Sequence, residues 1–398
     1  VLAYLALRDL RVLQLLKHTF LGFSTRETSG EGRPDSGPTL MRRIVGKSQI
    51  AFDSPLYHRG EAQFRDNLAV LLERYRNARI PVFIGTLASN EKDLVPFASV
   101  LAQETDAAAW RRSYETGVDA LLGGDTALAG ASLEAALALD NSAASAHFAL
   151  GRLLESRGEY SAARDAYLEA RDRDQLRFRA PRSFNRVIRE VAAQQGAQVV
   201  EVEASLLDHA THGIIGNELM LEHLHPNLDG YFLLADAYYR ALLDGEIPGS
   251  AVQAVSREQA WRELPVTAVD LKKADYEIMR LTADWPFRTV GTRPHTPERN
   301  GEIEQLAYSL FTRGMTWSNA TEQLQAYYLQ RQDTLAAARV AVLLADAYPY
   351  DSERQYQANQ LAQDAGLVHD AARLLRRALQ QAPVRELGAA VSTGQFGH

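Results

Sequence analysis

At 398 residues with an apolar share of 46%, the chain has material for two or three domains with real cores. Its net charge of −7 argues against nucleic acid as a partner, because phosphate recognition wants a basic face. The absence of cysteine excludes disulfides, thiolate metal sites and a cysteine nucleophile, and leaves the compartment open.

The chain begins at Val1 rather than Met, so an upstream part is expected; a targeting segment there would put the protein on a membrane or outside the cytoplasm. Val1–Phe20 is interrupted by Arg8, Asp9, Arg11 and Lys17, too charged to span a bilayer, and reads as an amphipathic helix. No transmembrane segment is expected in this chain. Ser24–Pro38, rich in Gly, Ser, Thr, Pro and charge, reads as a linker. Gly46-Lys47-Ser48 is no phosphate loop, since Met41 stands where the first glycine belongs.

Glu61–Ile80 has helical periodicity, with Phe64, Leu68, Leu71, Leu72 and Tyr75 on one face. Ile80–Gly85 is a short apolar run that reads as a buried strand, and Thr86–Asn90 is the loop leaving it. Ligands gather at the carboxyl ends of parallel strands, which makes Thr86, Ser89 and Asn90 candidates for lining a cleft. A helix over Pro181–Gln195, closed by Gly196, leads into a second strand, Ala197–Val202. Strand, helix, strand is the parallel crossover unit, yet about a hundred residues intervene, so something folded is inserted.

The insertion carries a period. Gly117 and Gly151, Gly124 and Gly158, Ala129 and Ala163, and Ala136 and Ala170 are all separated by the same interval, and Leu133 and Tyr167 occupy the large apolar position. A period of about 34 residues with small residues at these places resembles the tetratricopeptide repeat, in which they let paired helices approach closely. The same period returns in Gln323–Pro383, between Ala337 and Ala371 and between Pro349 and Pro383, although no glycine in the first unit matches Gly366. Pro248–Pro297, with Trp261, Trp285 and Phe287, reads as an irregular connector packed through its aromatics. Arg171, Arg173, Arg177, Arg179 and Arg182 read as a solvated surface.

The chemistry is concentrated in Glu222-His223-Leu224-His225-Pro226-Asn227, which precedes Gly230-Tyr231 and a helix anchored by Leu234, Tyr238 and Leu242. Placed close together in a loop, Glu222 could accept the imidazole N–H of His225, fix its tautomer and stabilise its protonated form. His209, His212, Glu222, His223 and His225 fit no standard metal-ligand spacing, so no metal and no cofactor are expected.

Together these segments resemble the SGNH (GDSL-type) hydrolases, whose last motif is commonly Asp-x-x-His-Pro followed by Gly-Tyr, and specifically members that carry tetratricopeptide repeats. The resemblance covers about 42–243 and implies a flavodoxin-like α/β/α sandwich with a Ser-His-Asp triad that cleaves acyl esters. His225 matches the catalytic histidine, and Glu222 stands where Asp is usual. The Gly-Asp-Ser nucleophile motif and the Gly-x-Asn oxyanion motif have no match; Ser24, Ser48 and Ser250 are misplaced for it, and no Gly-x-Ser-x-Gly elbow occurs. Either the hydrolase domain continues upstream or it never had a nucleophile, and this chain alone is expected to be inactive.

The expected fold is therefore α/β, the end of that sandwich with inserted and carboxyl-terminal helical hairpins. Its parts are 1–105 (partial hydrolase segment), 106–177 (inserted repeats), 178–245 (end of the hydrolase domain), 246–310 (connector) and 311–398 (carboxyl-terminal repeat-like helices). The expected partners are an acyl-ester substrate and a protein or peptide bound by the repeats. The alternative is a non-enzymatic repeat scaffold for protein interaction.

Overall fold

The computed structural model describes residues 49–247, 254–283, 285–287 and 299–381. Outside them lie the expected Val1–Phe20 helix, the Ser24–Pro38 linker, Gly46-Lys47-Ser48, Ser250 and Pro383.

Helix α1 (Pro55–Asn77) starts earlier than its apolar periodicity suggests, because Ser54 accepts the Tyr57 amide and Pro55 suits the first helical position. Leu68 and Leu72 are buried, whereas Leu71 and Tyr75 of the expected apolar face are exposed. Strand β1 (Phe83–Gly85) pairs in parallel with β2 (Gln198–Val200) in the register Phe83↔Gln198, Ile84↔Val199, Gly85↔Val200. Helix α1 and helix α6 (Arg182–Gln195), which precedes β2, bury Leu68, Leu72, Val187, Ile188 and Val191 with Ile84 and Val199. A second core joins Val200 to α7 (Val202–Leu207) and α8 (Leu228–Asp244) through Leu206, Leu219 and Leu233, with Phe83 and Tyr238 against it.

The expectation of a flavodoxin-like sandwich is overturned. Among the described residues 65% are helical, 3% lie in strands or bridges, and the sheet has two strands. The chain belongs to the helical-bundle class. The physical reason is that among the described residues only Phe83–Gly85 and Gln198–Val200 find strand partners, while most other apolar residues recur at helical spacing and bury against helices.

Between β1 and α6 stand four helices: α2 (Ala107–Leu122), α3 (Thr126–Leu139), α4 (Ala144–Ser156) and α5 (Tyr160–Arg173). They pack as the hairpins α2–α3 and α4–α5, with α3 against α4. Helices α3 and α5 begin and end one repeat period apart. Ala129, Leu133, Ala136, Ala163, Tyr167 and Ala170 are all buried. A Cβ at Gly151 would stand 2.7 Å from the Tyr167 ring, and one at Gly117 2.8 Å from Leu133, so glycine is what lets each hairpin close. Gly151→Ala is expected to lower stability by about 1–3 kcal/mol through overpacking, read from the midpoint of a urea unfolding curve; an unchanged midpoint would mean that the α4–α5 contact is looser than this.

A segment ahead of α2 is strapped along these hairpins. Asp140, which ends α3, accepts the Ala102 amide at 2.7 Å and the Thr105 hydroxyl at 2.8 Å. Asp174, the matching residue one period on at the end of α5, accepts the Phe97 and Ala98 amides at 2.8 and 2.9 Å. Each aspartate also accepts the amide of Ser142 or Leu176 just after itself, in an Asx turn.

Beyond α8 come α9 (Arg257–Arg262), α10 (Ala268–Leu281), α11 (Glu302–Phe311), α12 (Trp317–Gln330), α13 (Thr334–Ala347), α14 (Ser352–Asp364) and α15 (Val368–Gln381). Within Pro248–Pro297, expected to be an irregular connector, the described residues hold the two helices α9 and α10. Helices α10 and α11 share a core with α12 built on Val269, Tyr276, Leu306, Ala307, Ala320 and Leu324. The overlooked signal is the capping box of Thr267 and Asp270, in which each side chain satisfies the other's backbone amide. Helices α13 and α15 again begin and end one repeat period apart. Where Gly366 turns the α14–α15 hairpin at φ 73°, Gln332 takes the same left-handed conformation at φ 61° in the α12–α13 hairpin. Among the described residues no helix is long and apolar enough to cross a membrane.

Candidate functional site

Backbone pairing builds the site. The Leu221 amide donates to the His225 carbonyl at 2.8 Å, Met220 and Pro226 form an antiparallel bridge, and the Asn227 amide donates to the Leu219 carbonyl at 3.0 Å. Glu222-His223-Leu224 is therefore the tip of a tight turn, and the turn brings Glu222 and His225 face to face. Asn227 then caps α8, its Oδ1 accepting the Gly230 amide at 3.0 Å, which fixes the turn to a helix start. Pro226 lies before the cap rather than inside the first turn. Gly230 admits no side chain: a Cβ there would be 2.2 Å from the Leu219 carbonyl.

The Glu222 carboxylate is buried and held on both oxygens. Oε1 accepts the His225 amide at 2.9 Å and also pairs with His225 Nδ1. Oε2 accepts the His223 amide at 2.6 Å and lies against His223 Nδ1. One carboxylate thus faces two imidazoles in opposite settings. The His225 side chain is 51% exposed, and no hydrogen bond from the described residues reaches its Nε2. The His223 ring is buried, boxed edge-on by Phe97, Phe178 and Phe287 at centroid distances of 5.6, 5.8 and 5.3 Å. Burial, and then the neighbouring His225 and Arg179, push its pKa down to about 3, so His223 is neutral at physiological pH.

The arginine run expected at the surface is partly interior. Arg171 and Arg179 are buried. Arg179 donates to the Asn90 carbonyl at 3.0 Å and to Asp174 at 3.3 Å, and its guanidinium lies over the Phe97 ring. Arg171 donates to Ser89 Oγ at 3.3 Å. Apolar flanking residues do not distinguish such an arginine from a solvated one; the acids at Asp172 and Asp174, interleaved with the run, are the signal that could have.

Thr86, Ser89 and Asn90 are all buried, and each is engaged within the fold. Thr86 Oγ1 accepts the Glu203 amide at 2.9 Å in the first turn of α7. Asn90 bonds Asn217 through its side chain at 2.8 Å, while its amide donates to the His223 carbonyl at 3.0 Å, so this loop and the histidine turn are one unit. Next to it, buried Glu91 receives Arg164 of α5 on both oxygens at 3.1 and 3.2 Å. Burial raises the Glu91 pKa against the pull of Arg164 and Arg171. Its ionisation therefore opposes folding: the contribution is intact below the usual carboxylate range and declines as pH rises through the folded pKa. Glu91→Gln is expected to gain stability relative to the parent as pH rises from 4 to 7, measured by urea unfolding at each pH; a difference that stays flat would argue against this.

The pairing of Glu222 with His225 that the sequence suggests is present in the fold, whereas the box of Phe97, Phe178 and Phe287 around His223 is not foreseen from sequence. These residues come from three distant stretches with no shared spacing. Among the described residues no group of acids and histidines is arranged to hold a metal ion. No protein-family model matches the chain, and no curated protein matches it significantly.

Proposed function

We propose that Glu222 and His225 are the acid–base half of an SGNH-type acyl-ester hydrolase, and that the helix hairpins dock a protein or peptide partner. The observation that carries the reading is the pairing of His225 Nδ1 with a buried carboxylate, on a half-exposed ring whose Nε2 receives no hydrogen bond from the described residues. That is the geometry a general base requires: one nitrogen oriented, the other open to a hydroxyl. Nε2 takes the proton of a serine hydroxyl as its oxygen bonds to the ester carbonyl carbon, and returns that proton to the departing alcohol. Water then repeats the cycle on the acyl-enzyme. The serine comes from outside the described residues. Docking is supported by the polar groove of about 280 Å³ between α12, α13 and α14, where Glu322, Gln325, Arg354 and Gln357 face a common space.

The test uses the complete gene product with p-nitrophenyl acetate and a fluorophosphonate probe. His225→Ala is expected to cut ester turnover by about 10²–10⁴-fold, and Glu222→Gln to act in the same direction through the tautomer. Ester turnover that survives His225→Ala would remove the dyad from the reaction, and absence of ester turnover by the complete gene product would make a repeat-only scaffold the better account.

A further inference from the structure

The Glu222 carboxylate is shared between two histidines of one turn. Each of its oxygens faces one backbone amide and one imidazole nitrogen: the His225 amide at 2.9 Å and His225 Nδ1 on Oε1, the His223 amide at 2.6 Å and His223 Nδ1 on Oε2. A carboxylate offers about four acceptor positions, so this set fills it. His223 Nδ1 is sealed from solvent, and Glu222 Oε2 is the polar atom against it.

This setting fixes the state of His223. A neutral imidazole carries its proton on one nitrogen only, and a lone pair on Nδ1 would face the negative carboxylate. The proton of His223 therefore sits on Nδ1, and Nε2 is bare. A second proton is refused at physiological pH, because Phe97, Phe178 and Phe287 bury the ring and Arg179 and His225 stand near it. The refusal matters for Glu222. A protonated His223 would neutralise the carboxylate and deprive His225 of the charge that stabilises its imidazolium form. A glutamate also has one more rotatable bond than an aspartate, so a second anchor is what keeps Oε1 on His225.

We propose that His223 is a positioning residue: its neutral Nδ1–H anchors Glu222 Oε2, which holds Oε1 on His225 and reserves the charge of the carboxylate for that ring. The effect on turnover rests on the hydrolase reading above; the anchoring does not. The phenylalanine box is thereby part of the site, because it makes His223 a donor rather than a competing cation.

Nitrogen-15 NMR of the complete gene product, labelled at histidine and assigned with His223→Asn and His225→Ala, reads the tautomers without turnover. His223 is expected as the Nδ1–H form, unchanged between pH 8 and pH 5. A proton on Nε2, or on both nitrogens, would overturn the proposal. Turnover of p-nitrophenyl acetate then tests positioning. His223→Phe fills the box without a donor, whereas His223→Asn leaves part of the box empty but sets an amide N–H near the place of Nδ1. Lost orientation should cut kcat by about 10²-fold in His223→Phe with KM little changed, and His223→Asn should recover most of it. A residue that merely packs would give the reverse order, and that order, or equal activity of the two folded variants, would overturn the proposal. Where circular dichroism shows His223→Asn unfolded, the tautomer in the parent decides. Turnover that does not depend on His225 removes the hydrolase reading and leaves the anchoring to be judged on the His225 ring. That ring should hold the Nδ1–H form in the parent and mix its tautomers in His223→Phe; a ring that His223→Phe leaves unchanged removes the anchoring.

Discussion

Taking the protein from pH 7 to pH 4 is expected to cost about 3 kcal/mol of folding stability through His223 alone. In the unfolded chain this imidazole takes up its proton near pH 6.5; in the folded protein burial pushes that event down to about 3. Between those limits the unfolded state binds a proton that the folded state refuses, so stability is full above pH 6.5 and falls as pH drops. Three phenylalanine rings box the imidazole and bury it, and Arg179 and His225 add positive potential; together these outweigh the Glu222 carboxylate beside Nδ1. His223→Phe keeps a ring in the box and removes the titration. Urea unfolding at pH 7 and pH 4 should show the parent losing about 3 kcal/mol more than the variant over this interval. Equal losses would mean that the ring accepts a proton in place.

Asp174→Ala is expected to destabilise the protein by about 3–5 kcal/mol, because it strands the buried Arg179 charge and leaves three amides without their acceptor. Both side chains of this pair are almost inaccessible, at 3% and 2%, so solvent screening does little to soften the loss. Asp174→Ala combined with Arg179→Met should recover part of the loss, since an apolar replacement no longer leaves a lone charge inside. Hydrogen exchange at the Phe97 and Ala98 amides reads the same event locally: protection should vanish in both variants that lack Asp174. Protection retained in Asp174→Ala would show that the strap is held by packing of Phe97 and Leu101 instead.

The helical hairpins are legible in the sequence because their signals are local. Glycine and alanine recurring at one fixed interval mark where helices touch, and Gly151 against Tyr167 is that rule realised in atoms. The Glu222–His225 pairing is legible for the same reason, since a few residues of one turn decide it. The sandwich expectation fails because two strand-like runs do not say how large a sheet they join. A sheet's extent depends on partners far along the chain, and no periodicity within Ile80–Gly85 reports how many there are. Helix α10 is hidden because Trp261, Trp285 and the prolines dominate the composition of that stretch and mask the capping box at Thr267. Arg171 and Arg179 are misplaced because composition registers charge without its burial. Their partners, Asp174 and the loop at Ser89–Asn90, come from helix ends and turns that only the folded chain assembles.

The paired posts at Asp140 and Asp174 have a consequence for how such a gene can change. The strap from Phe97 to Thr105 is measured off against one hairpin step, since each end is moored to the close of a successive unit. Duplicating or deleting a hairpin would move one mooring while the strap kept its length. Copy number of the inserted unit and length of the preceding segment are thereby locked, and a lineage or a designer wishing to alter one must splice the other to match.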